Sequence, residues 1–140
     1  MRILAVDPGS KRIGLAVSDP TGTIANPLAV LQHVARLVDA AAVAQEAAAQ
    51  GVGLIVVGQS LDDEGKPTFA GRQSARFAEA LQTQTSLPVV LWEEGFTTQD
   101  ARAARLQMGA SRKNRSGHLD DLAATVLLQS YLDARVENPK

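Results

Sequence analysis

The chain reads as a mixed α/β protein, one sheet with helices packed on its faces. Three observations predict this. Three apolar runs near the amino end are separated only by short turn sequences. The hydrophobic period then alternates between helix and strand for the rest of the chain. Of 140 residues, 45% are hydrophobic but only 4% aromatic, so the core is built mainly of Ala, Val and Leu.

The first run, Ile3 to Val6, is continuously apolar, as suits a central strand buried on both faces. It stops at Asp7, before Pro8-Gly9. Arg12 to Asp19 is a second strand, in which Ile13, Leu15 and Val17 alternate with small or polar residues. Pro20-Thr21-Gly22 is a turn. Thr23 to Leu31 is a third strand, interrupted by Asn26-Pro27, which implies an edge position or a bulge. Strands joined this closely form an antiparallel meander.

Val34 to Gln50 changes period. Leu37, Val38, Ala41, Ala44 and Ala48 give a helical face, and Gly51 is the stop. Gly53 to Val57 is a buried parallel strand. The polar stretch Gln59 to Thr68 is a loop. Phe69 to Gln84 is a second helix anchored by Phe69, Phe77, Ala78 and Leu81. Leu87 to Trp92 is the fifth strand, ending at Glu93-Glu94. Thr97 to Met108 is a third helix, Gly109 to Gly117 a basic loop, and His118 to Ala134 the last helix. A helical crossover from the meander into two more strands makes a five-stranded mixed sheet. Strands one, four and five are expected to be parallel and central, with their carboxyl ends together.

Length and the lack of repeats or linkers imply one domain over residues 1–135, with a flexible tail at 136–140. The absence of cysteine excludes disulfides, thiolate nucleophiles and zinc-thiolate sites. His33 and His118 are too few for a His-rich metal site. No apolar run approaches membrane-spanning length and no signal peptide is seen, so a soluble, cytoplasmic protein without membrane contact is expected. A net charge of −1 excludes a uniformly basic nucleic-acid binder but not a local basic patch.

Acidic residues fall at suggestive places. Asp7 ends strand one, Glu93 and Glu94 end strand five, and Asp120 and Asp121 open the last helix. Ligands gather at the carboxyl ends of strands in such folds. Each acid has an ordinary explanation too: Asp7 suits a Pro-Gly turn, and acids near a helix start complement its dipole. Jointly they form a carboxylate cluster, which repels itself unless a cation sits inside it. Hard oxygen donors favour Mg²⁺ or Mn²⁺. Two such ions, roughly 3.5–4 Å apart, would activate water and stabilise the leaving oxygen of a phosphodiester. Lys11, Arg12, Lys66, Arg72, Arg112, Lys113 and Arg115 fall in loops or helix starts, where they could contact a nucleic-acid backbone or simply be solvated. Trp92 could stack a base but, at a strand end, fits the core better.

The stretches DPGSKRIGLAVSD, IVVGQSLDDEGKPTFAGRQSARFAEAL, WEEGFTT and LDDLAATVLLQSYL occur in an order and spacing that resembles the YqgF/RuvX family, over about residues 2 to 134. The resemblance implies a ribonuclease-H-like fold. It also implies a metal-dependent nuclease, acting in pre-16S rRNA 5′-end maturation or as a Holliday junction resolvase. The family's acidic positions fall on Asp7, Glu94 and Asp120, which the resemblance makes the catalytic and metal-binding set, with Glu93 or Asp121 assisting. The implied partner is structured RNA such as pre-16S rRNA, or branched DNA, with the chain a monomer or a homodimer. Four positions depart from the family pattern: Gly95 replaces an Arg, Glu93 an Asp, and Gln59 and Ser60 of Gly58-Gln59-Ser60 the Leu and Pro of a Gly-Leu-Pro. The alternative they raise is a nucleic-acid-binding module with weak or no catalysis. A third reading follows from Asp7-Pro8-Gly9-Ser10, which is similar to the phosphate loop of actin-type phosphotransferases. Those proteins use two such domains.

Overall fold

In the computed structural model, which describes residues 1–93 and 112–137, one sheet carries five strands in the order β3-β2-β1-β4-β5. They are β1 (Arg2–Pro8), β2 (Arg12–Ser18), β3 (Ala25–Gln32), β4 (Val52–Gln59) and β5 (Val89–Glu93). The described helices are α1 (Arg36–Gln50), α2 (Phe69–Gln82) and α3 (Arg112–Glu137). The helix expected over Thr97 to Met108 lies outside the described residues.

The meander forms as expected, with β1, β2 and β3 antiparallel and β4 and β5 parallel to β1. β5 lies at the sheet edge rather than in its centre. β3 is the other edge. There Leu15 pairs Ala29 but Ala16 pairs Pro27, so Leu28 is the extra residue of a bulge beside the proline. A proline with no N–H to donate is accommodated at such an edge.

The pleat sorts the core into two layers. Leu4, Val6, Leu15, Ile55 and Val57 face α1 and α2. Ile3, Ala5, Ala16, Leu54 and Val56 face α3, which covers them with Ala124, Leu127, Leu128 and Leu132. Polar contacts fix α3 in place. Gln129 accepts the Ala25 N–H at 2.9 Å and donates to the Thr23 carbonyl at 3.0 Å. The Trp92 indole donates to Ser130 Oγ at 2.8 Å, and its ring meets Tyr131 edge-on at 5.2 Å. Trp92 is thus a core anchor.

Two helices differ from expectation. α1 buries Asp39, Ala40, Val43 and Ala47, while Leu37 and Val38 are exposed. The alanine-rich helix has no strong preference for one face, and the first turn is set by Asp39. Its carboxylate accepts the Val34 N–H at 3.0 Å and bonds the His33 imidazole, which draws that side inward. Gly51 ends the helix in the left-handed region, φ 64°. α3 starts at Arg112 rather than His118 and continues through Glu137, past the point where the tail was expected. Lys and Arg are good helix formers, and one interior glycine, Gly117, costs only about 1 kcal/mol. The basic stretch from Arg112 is therefore helical rather than a loop.

At the far end of the sheet, the Asp19 carboxylate ties the turn from β2 to β3. It accepts N–H groups of Thr23 and Ile24 at 2.8 and 2.9 Å, and the Thr21 hydroxyl. The Ile24 N–H, followed by the Thr21 hydroxyl and the Thr23 N–H, holds this carboxyl well below the usual range.

Candidate active site

The continuous apolar run of β1 carries Asp7 to the carboxyl end of the central strand. There the strand turns sharply: the Gly9 N–H donates to the Arg12 carbonyl at 2.9 Å, and a Cβ on Gly9 would stand 2.6 Å from that oxygen. A glycine is therefore required in the turn. Asp7 shares the parity of Ile3 and Ala5, so it belongs to the α3 face, where it is half-buried. Its partner on β2 is Gly14. On β4, Val6 pairs Val57, so the next residue, Gly58, stands beside Asp7. The acid is thus flanked on both neighbouring strands by positions without side chains.

The other expected acids are distributed as follows. Glu93 ends β5 opposite Gln59, with the parity of Val89, on the α1/α2 face and across the sheet from Asp7. Glu94 lies outside the described residues. Asp120 and Asp121 lie in α3, Asp120 one helical turn before Ala124; their side chains are outside the described residues. Among the described residues no three His, Cys, Asp or Glu side chains gather around one point. The candidate donors are all carboxylates, a set that fits a hard divalent cation.

Lys11, Arg12, Lys66 and Arg72 share the site's end of the sheet. Lys11 and Arg12 are exposed in the β1–β2 turn and at the start of β2. Lys66 is exposed in the loop after β4. That loop also carries Asp62, whose carboxylate accepts the Glu64 and Lys66 N–H groups at 2.9 Å each. Arg72, in the first turn of α2, donates to the Pro67 carbonyl at 3.2 Å and lies over the Phe69 ring. Arg112, Lys113 and Arg115 occupy the first turns of α3. Gln59 and Ser60, two departures from the family pattern, tie this loop to α2. Gln59 donates to the Gly71 carbonyl at 3.2 Å, and Ser60 bonds the N-cap Thr68 at 2.7 Å.

Three features were not anticipated. Phe69, expected as an anchor of α2, is 69% exposed. The His33–Asp39 pair closes the start of α1, whose N-cap, Ala35, offers no capping side chain. A cleft of about 730 Å³ opens between the starts of α1 and α2 and the 8–10 turn. The sequence signal for the pair was an acid in the first turn of a helix preceded by a residue that cannot cap it.

The strand order, the parallel crossovers and the acid at the end of the central strand define an α/β fold of the ribonuclease-H type. Solved structures agree on that fold. RuvC of T. thermophilus in complex with a Holliday junction substrate aligns with a TM-score of 0.61 at 19% identity, covering 100% of this chain and 98% of that one. The Fowlpox virus resolvase with its Holliday junction DNA aligns at 0.60 and 16% identity, covering 96% of this chain and 98% of that one. The chain belongs to the RuvX family, whose model, described as Holliday junction resolvase, matches residues 1–134. Relatives from Thermoanaerobacter pseudethanolicus and Anaeromyxobacter sp. are 36% and 38% identical. Each alignment covers 96% of this chain and 98% of the relative, and both relatives are named "Putative pre-16S rRNA nuclease".

Proposed function

We propose that this protein is a divalent-metal-dependent nuclease that hydrolyses phosphodiester bonds in nucleic acid. Its substrate on this reading is pre-16S rRNA at the 5′ end or a branched DNA. The observation that carries the reading is Asp7, fixed at the end of the central strand between Gly14 and Gly58. Family membership supports it. The proposed unit is one domain over residues 1–135, acting in the cytoplasm as a monomer or homodimer. Among the described residues, no helix is long and apolar enough to cross a membrane.

Asp7, Glu94 and Asp120 are proposed to hold Mg²⁺ or Mn²⁺. Asp121 is a neighbouring carboxylate on α3, while Glu93 has the parity of the other face. When bound, the metal would polarise the phosphate and lower the pKa of water. The protein's own part is to hold the Asp7 carboxylate at a strand end between two strands that carry glycine there. Lys11, Arg12, Lys66, Arg72, Arg112, Lys113 and Arg115 are proposed to contact the phosphate backbone, which makes binding salt-dependent.

The test is side-by-side cleavage of a labelled rRNA precursor fragment and a four-way DNA junction, with Mg²⁺, Mn²⁺ or EDTA. Cleavage that needs metal and vanishes in Asp7→Asn is expected, and the better substrate identifies the role. Binding without cleavage of either substrate would favour the binding-module reading.

A further inference from the structure

The cleft on the α1/α2 face lies one turn away from Asp7. Pro8, the next residue of β1, has the opposite parity and stands in the cleft wall with Gly9 and Ser10. At about 730 Å³ the cleft is within the size range of small-ligand sites. Its lining combines two chemistries. Ile13 and Phe77 form a buried apolar floor, and Phe69 stands at the rim. An exposed phenylalanine at the first position of a helix does no packing for the fold. The Arg72 guanidinium sits 5.8 Å from its ring centroid, and Arg36 reaches toward α2 to donate to Gln73 at 3.1 Å. The acid in the lining, Asp39, is engaged by His33 and by the Val34 N–H. The cleft therefore offers an aromatic face, an apolar floor and the Arg36 guanidinium, with Arg72 beside the Phe69 ring outside the lining.

We propose that this cleft receives one nucleotide of the substrate strand, next to the phosphate held at Asp7. The assignment rests on the nuclease reading above. The base would lie against Phe69 and its phosphate would meet Arg36 and Arg72, a pairing of ring and cation typical of single-strand recognition. Pro8, Gly9 and Ser10 line the cleft and follow Asp7 directly in the chain, so a strand passing over this turn would reach from one face of the strand end to the other. A continuous duplex cannot lend a base to the cleft; an unpaired or splayed nucleotide can. The protein therefore favours substrates unpaired beside the cut.

Binding of a single-stranded oligonucleotide carrying 2-aminopurine at successive positions, measured in EDTA, tests this without requiring cleavage. Quenching at one position is expected, with loss of that quenching and a Kd about tenfold higher in Phe69→Ala. Ala70→Trp, at an exposed position lining the cleft, is expected to do the same by filling it. Thermal melts establish that both variants are folded. If both variants bind and quench as the wild type does, the assignment is overturned. Saturable binding of free AMP or UMP in the cleft, with oligonucleotide affinity unchanged in Phe69→Ala, also overturns it and makes the cleft a mononucleotide site. If the variants weaken binding but the wild type cuts nothing with either metal, the nuclease reading falls and the cleft stands as a nucleotide site.

Discussion

The two faces of the sheet are built from different materials. On one, the 26-residue α3 lays Leu127, Leu128 and Leu132 across the strands and is tied down by Gln129 and by Trp92. On the other, α1 meets the strands through the smaller Ala40, Val43 and Ala47 and α2 through Phe77, Ala78 and Leu81, and the starts of the two helices stand apart around a cleft. Large side chains from one long helix fill the first face and back the strand that bears Asp7. The smaller side chains of α1 on the second face do not fill the space where the two helices begin. Rigidity and room are thus allotted to opposite sides of one strand end, one residue apart at Asp7 and Pro8.

This contrast can be broken at several points. The largest effect is expected at Asp7→Asn. Metal-dependent cleavage should fall on the order of 10³-fold, since the lost carboxylate is worth several kcal/mol to a bound metal, while the circular dichroism spectrum is retained. Full cleavage by the folded variant would remove the chemistry from the α3 face. Leu128→Ala follows. It should destabilise by about 2–5 kcal/mol in urea unfolding, against less than about 0.5 kcal/mol for the exposed Leu37→Ala. Equal losses would show that Leu37 is packed rather than exposed, and that the face of α1 is not the one described. Asp39→Ala should cost about 1–3 kcal/mol, because the Val34 N–H and His33 lose their partner. Hydrogen exchange should show the added opening at the start of α1, with α3 protected as before.

The smallest effect concerns acid. The folded state depresses the Asp19 pKa, so this group contributes stability above the ordinary carboxylate pKa of about 4 and loses it as pH falls below that value. Unfolding midpoints of the wild type should drop between about pH 4 and pH 2, and Asp19→Ala should show a shallower drop over the same range. Parallel curves would assign the acid sensitivity elsewhere.

Strands were easy to read because apolar runs and turn residues are local signals. Ile3 to Val6 and the Asn26-Pro27 break announced a central strand and a bulged edge without any tertiary information. The edge position of β5 was not legible, since Leu87 to Trp92 is as apolar as a central strand. The face of α1 was misjudged because Ala is nearly neutral between inside and outside, so one buried carboxylate, Asp39, decided the rotation. Phe69 was misjudged for the converse reason: its hydrophobicity implied burial, and only the fold shows that the start of α2 has nothing to bury it against. At the site, Asp7 could be named from sequence, while its pairing with Gly14 needed the β1–β2 register. Gly58, on the other side, became visible only once the β1–β4 register was known.

Trp92 has one more consequence. It is the chain's single tryptophan, and its indole is hydrogen-bonded to Ser130 while its ring abuts Tyr131. Intrinsic emission therefore reports one seam, that between β5 and α3. The cleft lies on the other side of the sheet, so a ligand entering it leaves this signal unchanged. In stopped-flow refolding the same signal times the docking of the last helix, separately from assembly of the meander that precedes it in the chain.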